Sequence, residues 1–331
     1  MDGEFIAYVR RLAQGEAETI VVDGSPPPVF ALNAAALVDA IADGLRHLPP
    51  AADLATEMGK VGGVLTGLRL ASHEKLVVAD DDVRYDEGTL AAIRSALDTA
   101  DVVRPQNYFD PLPWHACWDT GRVLLNRVTG GDWPGTLGVR RSALVATGGY
   151  DGRAMFENLE LVRTIVAAGG REAALVDVFV PRRPSTARHF WSQRVRQAYD
   201  EIARPERLAL QLALLPLGVA LAVTGRWRIL AAGAVLAILI ADVGRRRGGG
   251  RRVFPARTSL CAPLWLIERA VASWLAVGAR WCLGGVPYRG RVLRHAATPM
   301  RVLRARHAAL RAAGTLATPH RDPRAAGRRS V

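Results

Sequence analysis

The sequence predicts a doubly wound α/β domain followed by apolar helices able to enter a membrane. Three observations carry that expectation. Short apolar runs rich in β-branched residues alternate with helix-like stretches as far as residue 180, the pattern of strand–helix–strand units. Two of those runs, over residues 18–22 and 75–79, stop abruptly at carboxylates, so the sheet delivers aspartates to the loops beyond its strands. From residue 208 two successive stretches of helical length are apolar, the first uncharged and the second charged only at Asp242.

The chain has 331 residues, half of them hydrophobic, enough for one large domain or a domain with an appendage. Its net charge of +13 is uneven: acids are frequent up to residue 206, whereas residues 289–331 contain Asp322 as their only acid. A basic tail near apolar segments suits an anionic membrane surface. The acidic first half and the lack of a nucleic-acid motif argue against nucleic acid as a partner. Cys117, Cys261 and Cys282 are widely spaced, which fits a reducing compartment and neither a disulfide framework nor a zinc site. The N-terminus has no apolar signal core, so the first domain is expected in the cytoplasm.

Taken in order, residues 5–13 have helical spacing and lead into a strand that ends at Asp23. Pro26, Pro27 and Pro28 are expected to break the chain, and a helix is expected over residues 34–46. A second helix opens at Gly59 and Lys60; a lysine there can meet a phosphate or remain solvated. The strand that follows stops at Asp80, Asp81 and Asp82. Asp80 and Asp82 can share a hard divalent cation that also holds a diphosphate, or form an acidic turn kept in water. A helix over 87–100 and a strand over 101–105 continue the alternation. Tyr108, Phe109, Trp114, Trp118 and Trp133, with His115 between them, are core packing or an acceptor groove. After a loop over 130–136 and a strand over 137–139, Glu157 and Glu160 share one face of a helix start. They are either acid–base groups or acids favoured by the helix dipole. A last strand covers 173–180, and an arginine-rich segment over 188–207 is a diphosphate clamp or a solvated face.

Residues 208–224 and 229–244 each span about 25 Å as a helix against roughly 30 Å of hydrocarbon, and they read as a transmembrane hairpin, the alternative being a buried or re-entrant one. Arg245, Arg246, Arg247, Arg251 and Arg252 place its far end on the cytoplasmic side, giving a multi-pass protein of the cell membrane with its α/β domain in the cytoplasm. Residues 259–283 carry Glu268, Arg269 and Arg280 in an apolar run, the pattern of an interfacial helix. The expected divisions are an α/β domain over 1–206, the hairpin over 207–245, a basic loop and interfacial helix over 246–286, and an Arg-rich tail over 287–331, disordered after about residue 305.

In this order the motifs resemble the family 2 glycosyltransferases, in particular membrane-associated members that glycosylate lipids or extend polysaccharides. The likeness covers roughly residues 5–290. IVVDGSP resembles the strand and loop whose Asp contacts the nucleotide base or ribose, which assigns Asp23. Gly59-Lys60 resembles the segment before the metal strand. Asp80-Asp81-Asp82 resembles the DXD motif, with Asp80 and Asp82 facing ribose, diphosphate and a Mg²⁺ or Mn²⁺ ion. GGYDGRAMFENLEL resembles the segment that supplies the catalytic base, and QRVRQ resembles QxxRW beside donor and acceptor.

The resemblance implies a GT-A fold: a mixed, mostly parallel sheet with helices on both faces. It also implies a nucleotide-diphosphate sugar donor, inversion at the anomeric carbon, and a lipid or lipid-linked hydroxyl acceptor. Donor contacts fall on Asp23, Lys60, Asp80, Asp81, Gln193, Arg194 and Arg196; the acceptor groove falls on Trp114, His115, Trp133, Gly135 and Thr136. Three departures stand out. Asn158 replaces the Asp of the base motif, so Glu157 or Glu160 takes the proton, or the chain is an inactive nucleotide-sugar-binding scaffold. Gln197 replaces the Trp of QxxRW. The family's first strand, ahead of the first helix, is absent, so the start lies upstream or the domain is incomplete.

Overall fold

A computed structural model describes residues 1–288 and 290–314. Helix α1 (Gly3–Ala13) is capped by Asp2, whose side chain accepts a hydrogen bond from Phe5 N at 2.8 Å, and Arg10 and Arg11 sit in its last turn, where the helix dipole favours cations. Strand β1 (Ile20–Val22) leads through α2 (Pro27–Ala36) and α3 (Val38–Ala42) to β2 (Arg46–Leu48), and the two strands pair in parallel. The expected proline break and the helix over 34–46 are both corrected here. Pro27 and Pro28 occupy the first helical turn, where a missing N–H costs nothing and the fixed φ suits a helix. Tyr8 and Val9 close this lobe against Leu37, Ala40 and Leu45.

Next come α4 (Gly59–Leu70), β3 (Lys75–Ala79), α5 (Glu87–Ala96), β4 (Val102–Phe109), α6 (Trp114–Arg127), β5 (Thr136–Arg140), α7 (Arg141–Val145), α8 (Glu157–Ala167) and β6 (Glu172–Arg182). A reciprocal box between Asp86 and Thr89 fixes the start of α5. The main sheet has the order β3-β5-β4-β6. Three strands share a direction and β5 runs against them, so β3–β5 and β5–β4 are antiparallel and only β4–β6 is parallel. The sheet is therefore mixed, as expected, but not mostly parallel by pairing; composition sets burial and leaves strand direction open. The β1–β2 pair is a separate sheet, and no strand precedes α1 among the described residues.

Alternation along the strands divides the core. Val102, Leu137 and Val139 pack with Leu161, Val162 and Ile165 of α8, while Val103 and Val180 pack with Ile93 of α5 and with Leu97, which caps its C-terminus. Gly138 permits that second layer: a Cβ there would stand 2.5 Å from both Ile93 and Val103 side chains.

Beyond α9 (Ala187–Ser192) and α10 (Arg194–Tyr199) come α11 (Pro205–Val223), α12 (Trp227–Arg246) and α13 (Ala262–Leu283). Three helical stretches, Pro205–Val223, Trp227–Arg252 and Ala256–Leu283, are long and apolar enough to cross a membrane. α11 and α12 are joined through Gly225, whose φ of 69° favours glycine. α13 packs along α6, α10 and α11. Ser273 Oγ donates to Gln211 Oε1 at 2.9 Å, and Trp274 Nε1 donates to Leu212 O at 3.0 Å. Its charges, Glu268 and Arg269, are buried toward the α/β domain, while Leu264, Ile267, Val271, Leu275 and Trp281 stay exposed.

A hairpin of β7 (Val286–Tyr288) and β8 (Arg291–Leu293) follows, then α14 (Met300–Ala312). The expectation of disorder after about residue 305 is corrected as far as residue 312, where α14 ends. Leu303 and His307, one turn apart, are buried as α14 packs on α8, a stripe hidden in the sequence by the surrounding arginines. Residues 315–331 of the expected tail lie outside the described residues.

Candidate active site

The sheet brings the starts of α4 and α8 and the ends of β3 and β6 to one place. Asp80 N donates to Gly135 O at 2.8 Å, and Gly135 N donates to Asn107 Oδ1 at 2.8 Å, which presses the loop before β5 onto the end of β3. A Cβ on Gly135 would lie 2.6 Å from Asp80 Oδ2, so any larger residue here would displace the Asp80 carboxylate. The loop is pinned from below: Gln106 Oε1 accepts Asp132 N at 2.9 Å, Arg104 Nη1 donates to Asp132 O at 2.9 Å, and Arg122 Nη1 meets Asp132 Oδ1 at 2.7 Å.

Around this floor the charges interleave. Lys60 Nζ bridges Asp80 Oδ1 at 2.5 Å and Glu157 Oε1 at 2.8 Å. Arg182 Nε meets Asp82 Oδ2 at 2.7 Å, and Arg182 Nη2 lies 3.6 Å from Asp80 Oδ2. Burial alone would make the Lys60 ammonium easier to deprotonate, but Glu157 and Asp80 overcome it and push its pKa up, so Lys60 stays cationic. Burial raises the pKa of Asp82 against the pull of Arg182, with Asp80 adding to the rise. Asp82 Oδ1 is buried without a hydrogen-bond partner. Beside Glu157, Asp200 is pushed up to about 8 by burial and by the Glu157 charge, against the pull of Arg196 and Arg204.

Sequence reasoning missed Arg182 and Asp200. Arg182 stood in the Pro181–Pro184 strand end, read only as a terminator, although a strand parallel to the aspartate-bearing one ends at the same rim. Nothing in the spacing around Asp200 distinguishes it. Of the expected residues, the structure brings together Lys60, Asp80, Asp82 and Glu157, with Gly135 against them. Trp133 is near by connection, stacked by Arg104 at 4.3 Å and facing Phe156. Thr136 Oγ1 donates to Val78 O and shares a 2.6 Å hydrogen bond with Tyr85. Asp81 is exposed, with its carbonyl accepting from Arg84 Nη1.

The others have different partners. Asp23 is buried and accepts from Ser25 N, Asn33 Nδ2 and His47, hydrogen bonds that outweigh its burial and hold its pKa down at about 2. Glu160 is fully buried and accepts Thr298 N at 2.6 Å, so it ties the tail to α8 and leaves Glu157 as the carboxylate at the rim. Arg194 is buried between Asp119 at 3.0 Å and Glu268 at 3.6 Å, over the Phe190 ring; it joins α10 to α6 and α13. Arg196 lies over Tyr288, and Gln193 Nε2 donates to Ser192 Oγ. Trp114 is exposed against Phe190 and Trp191, and His115 Nε2 contacts Ser185 O at 2.7 Å. Asn158 Nδ2 donates to Pro134 O at 2.8 Å, so the amide that replaces an acid fastens α8 to the loop.

Two expected results arise here. Replacing Arg182 by Leu leaves Asp80 and Asp82 facing each other, and should cost about 1–3 kcal/mol, less than a fully buried pair because its side chain is 29 % exposed. An unchanged Tm would show that Arg182 does not balance these carboxylates. For Asp200, the folded carboxyl holds its proton up to about 8, against an ordinary 3.8, so its contribution is complete in acid and lost as pH rises through that window. The Tm of Asp200→Asn should therefore fall less than that of the native chain between about pH 5 and about pH 9; equal slopes would rule out this titration.

The α/β fold is of a kind seen in a solved glycosyltransferase. The structure is similar to that of the mannosyltransferase PcManGT from Pyrobaculum calidifontis in complex with GDP-Man and Mn²⁺, with a TM-score of 0.54, 18% identity, and coverage of 82% of this chain and 84% of that one. At that identity the likeness is one of fold. No protein-family model matches the chain. No curated protein matches it either.

A divalent cation can be tested against the residues themselves. Among the described residues no group of three or more His, Cys, Asp or Glu could hold a metal. The unpartnered Asp82 Oδ1 beside Asp80 nevertheless suits an ion that takes one or two carboxylates and completes its shell with substrate phosphate and water, as Mg²⁺ and Mn²⁺ do.

Proposed function

We propose that this chain is a membrane-associated, inverting glycosyltransferase of the family 2 type, with a GT-A-like domain in the cytoplasm. It moves a sugar from a nucleotide-diphosphate donor to a lipid or lipid-linked hydroxyl. The observation that carries this reading is the convergence of Asp80, Asp82, Lys60, Arg182 and Glu157 at the strand ends of a fold similar to a solved mannosyltransferase.

Asp80 and Asp82 would hold a Mg²⁺ or Mn²⁺ ion, which supplies neutralisation of charge on the leaving diphosphate. Arg182, paired with Asp82 and near Asp80, would add positive charge beside that diphosphate. Glu157, held by Lys60, takes the proton of the acceptor hydroxyl as its oxygen attacks the anomeric carbon opposite the leaving group, inverting that centre. Trp133, Gly135 and Thr136 form the nearby wall. The apolar helices fix this rim at the bilayer, where a lipid acceptor needs no release into water. Asp23 and Arg194 are buried among partners elsewhere, so the reading assigns them to architecture and keeps Gln193, whose Oε1 is buried without a partner, and Arg196, whose charge reaches Asp200 beside Glu157, as donor-side residues.

The test is transfer of radiolabel from a panel of nucleotide sugars into organic-extractable lipid, using the detergent-purified chain and membrane lipids. Label from one donor should enter the lipid phase. Donor binding without transfer to any lipid or lipid-linked acceptor would instead favour the inactive scaffold.

A further inference from the structure

A second charged cavity, of about 570 Å³, opens between the loop before α8 and the C-terminal hairpin, lined by Glu57, Arg153, Arg291, Val292, Arg294 and His295. None of Lys60, Asp80, Asp82, Arg182 or Glu157 lines it, so it is separate from the candidate donor site. We propose that it is a phosphate-binding site, and that the phosphate it takes is that of a bilayer lipid headgroup.

The wall is built rather than accidental. Met155 N and Phe156 N donate to His295 O and Ala296 O at 2.9 Å each, so the segment after β8 is paired to the loop that enters α8. The Arg294 carbonyl accepts from Tyr199 Oη at 2.9 Å and Arg280 Nη1 at 2.6 Å, which fixes the backbone while leaving the guanidinium free to face a ligand. Arg153 is paired with Asp151 at 2.7 Å and is 68% exposed. Arg291 and Arg294 have no ion pair among the described residues, and Glu57 is the one carboxylate on the wall. Planar guanidiniums converging on a cavity select an oxyanion, and phosphate matches their geometry.

The source of the phosphate follows from position, and this step rests on the membrane association proposed above. The exposed apolar face of α13, ending in Trp281 and Leu283, runs out at Gly284, and the hairpin carrying Arg291 begins two residues later. Val292, 39% exposed, adds an apolar edge to the cavity. A basic cavity at the end of such a face lies at headgroup level.

The test uses the full chain in detergent micelles, with native mass spectrometry reading bound phosphatidic acid against phosphatidylcholine, and glycerol phosphate as the soluble probe. Phosphatidic acid should bind the native chain preferentially, and Arg291→Ala/Arg294→Ala should weaken it about 10–30-fold at an unchanged Tm. If the alanine pair fails to fold, Arg291→Gln/Arg294→Gln should show the same weakening, and native-level binding by that variant would overturn the site. Arginine-dependent binding of glycerol phosphate without lipid preference would place a soluble phosphate there and overturn the lipid assignment. Equal lipid binding by native and alanine chains would overturn the site. Neither readout uses the donor site, so failure here is distinct from failure of the transferase reading.

Discussion

Glu157→Gln should lower turnover about 10²–10⁴-fold while donor affinity stays within about threefold, because the amide keeps the side chain's shape and its contact with Lys60 but accepts no proton. Glu157 is the accessible member of the pair that the sequence offered: its side chain is 17% exposed beside Lys60, whereas Glu160 is fully buried against the Thr298 amide. Glu160→Gln should therefore act on stability, with turnover at the native level per folded molecule. Steady-state kinetics on both variants separate the roles. Loss of turnover in Glu160→Gln with retention in Glu157→Gln would reverse the assignment.

Asp82→Asn should weaken Mn²⁺ binding in the presence of a nucleoside diphosphate by at least about 10–100-fold. The wild-type carboxylate has one oxygen on Arg182 and the other, Oδ1, buried without a partner; an amide removes the charge that would make this oxygen a ligand. Electron paramagnetic resonance of free Mn²⁺ measures this directly. Equal binding by the variant would remove Asp82 from the cation site. Burial is the main cause of the raised Asp82 pKa, with Asp80 adding to it, and a neutral amide escapes that cost while giving up the ion pair with Arg182.

Much of the rim was legible because its residues sit at strand and helix ends. An apolar run halted by acids marks a β-strand and where it ends, and β3 with Asp80 and Asp82 beyond it appears where that pattern placed it. Lys60 and Glu157, separated by 97 positions, could be proposed only singly; the 2.8 Å contact between them is a product of packing. Within QRVRQ, the place of Arg194 was not legible, for a physical reason. A buried arginine looks the same in sequence whether it meets a diphosphate or a protein carboxylate, and Arg194 meets Asp119 and Glu268. Glu268 and Arg269 similarly marked α13 as polar without revealing that the α/β domain covers them. The antiparallel course of β5 was hidden, since alternation fixes which side chains are buried and leaves the direction of the chain open.

The most direct test of a nucleotide-sugar transferase is calorimetric binding of nucleotide-diphosphate sugars to the detergent-purified chain, with Mn²⁺ and then with EDTA. Saturable binding of one donor, present with Mn²⁺ and lost with EDTA, is the result expected from Asp80 and Asp82 at the rim. No binding of any donor in either condition would contradict the assignment of this rim as a donor site.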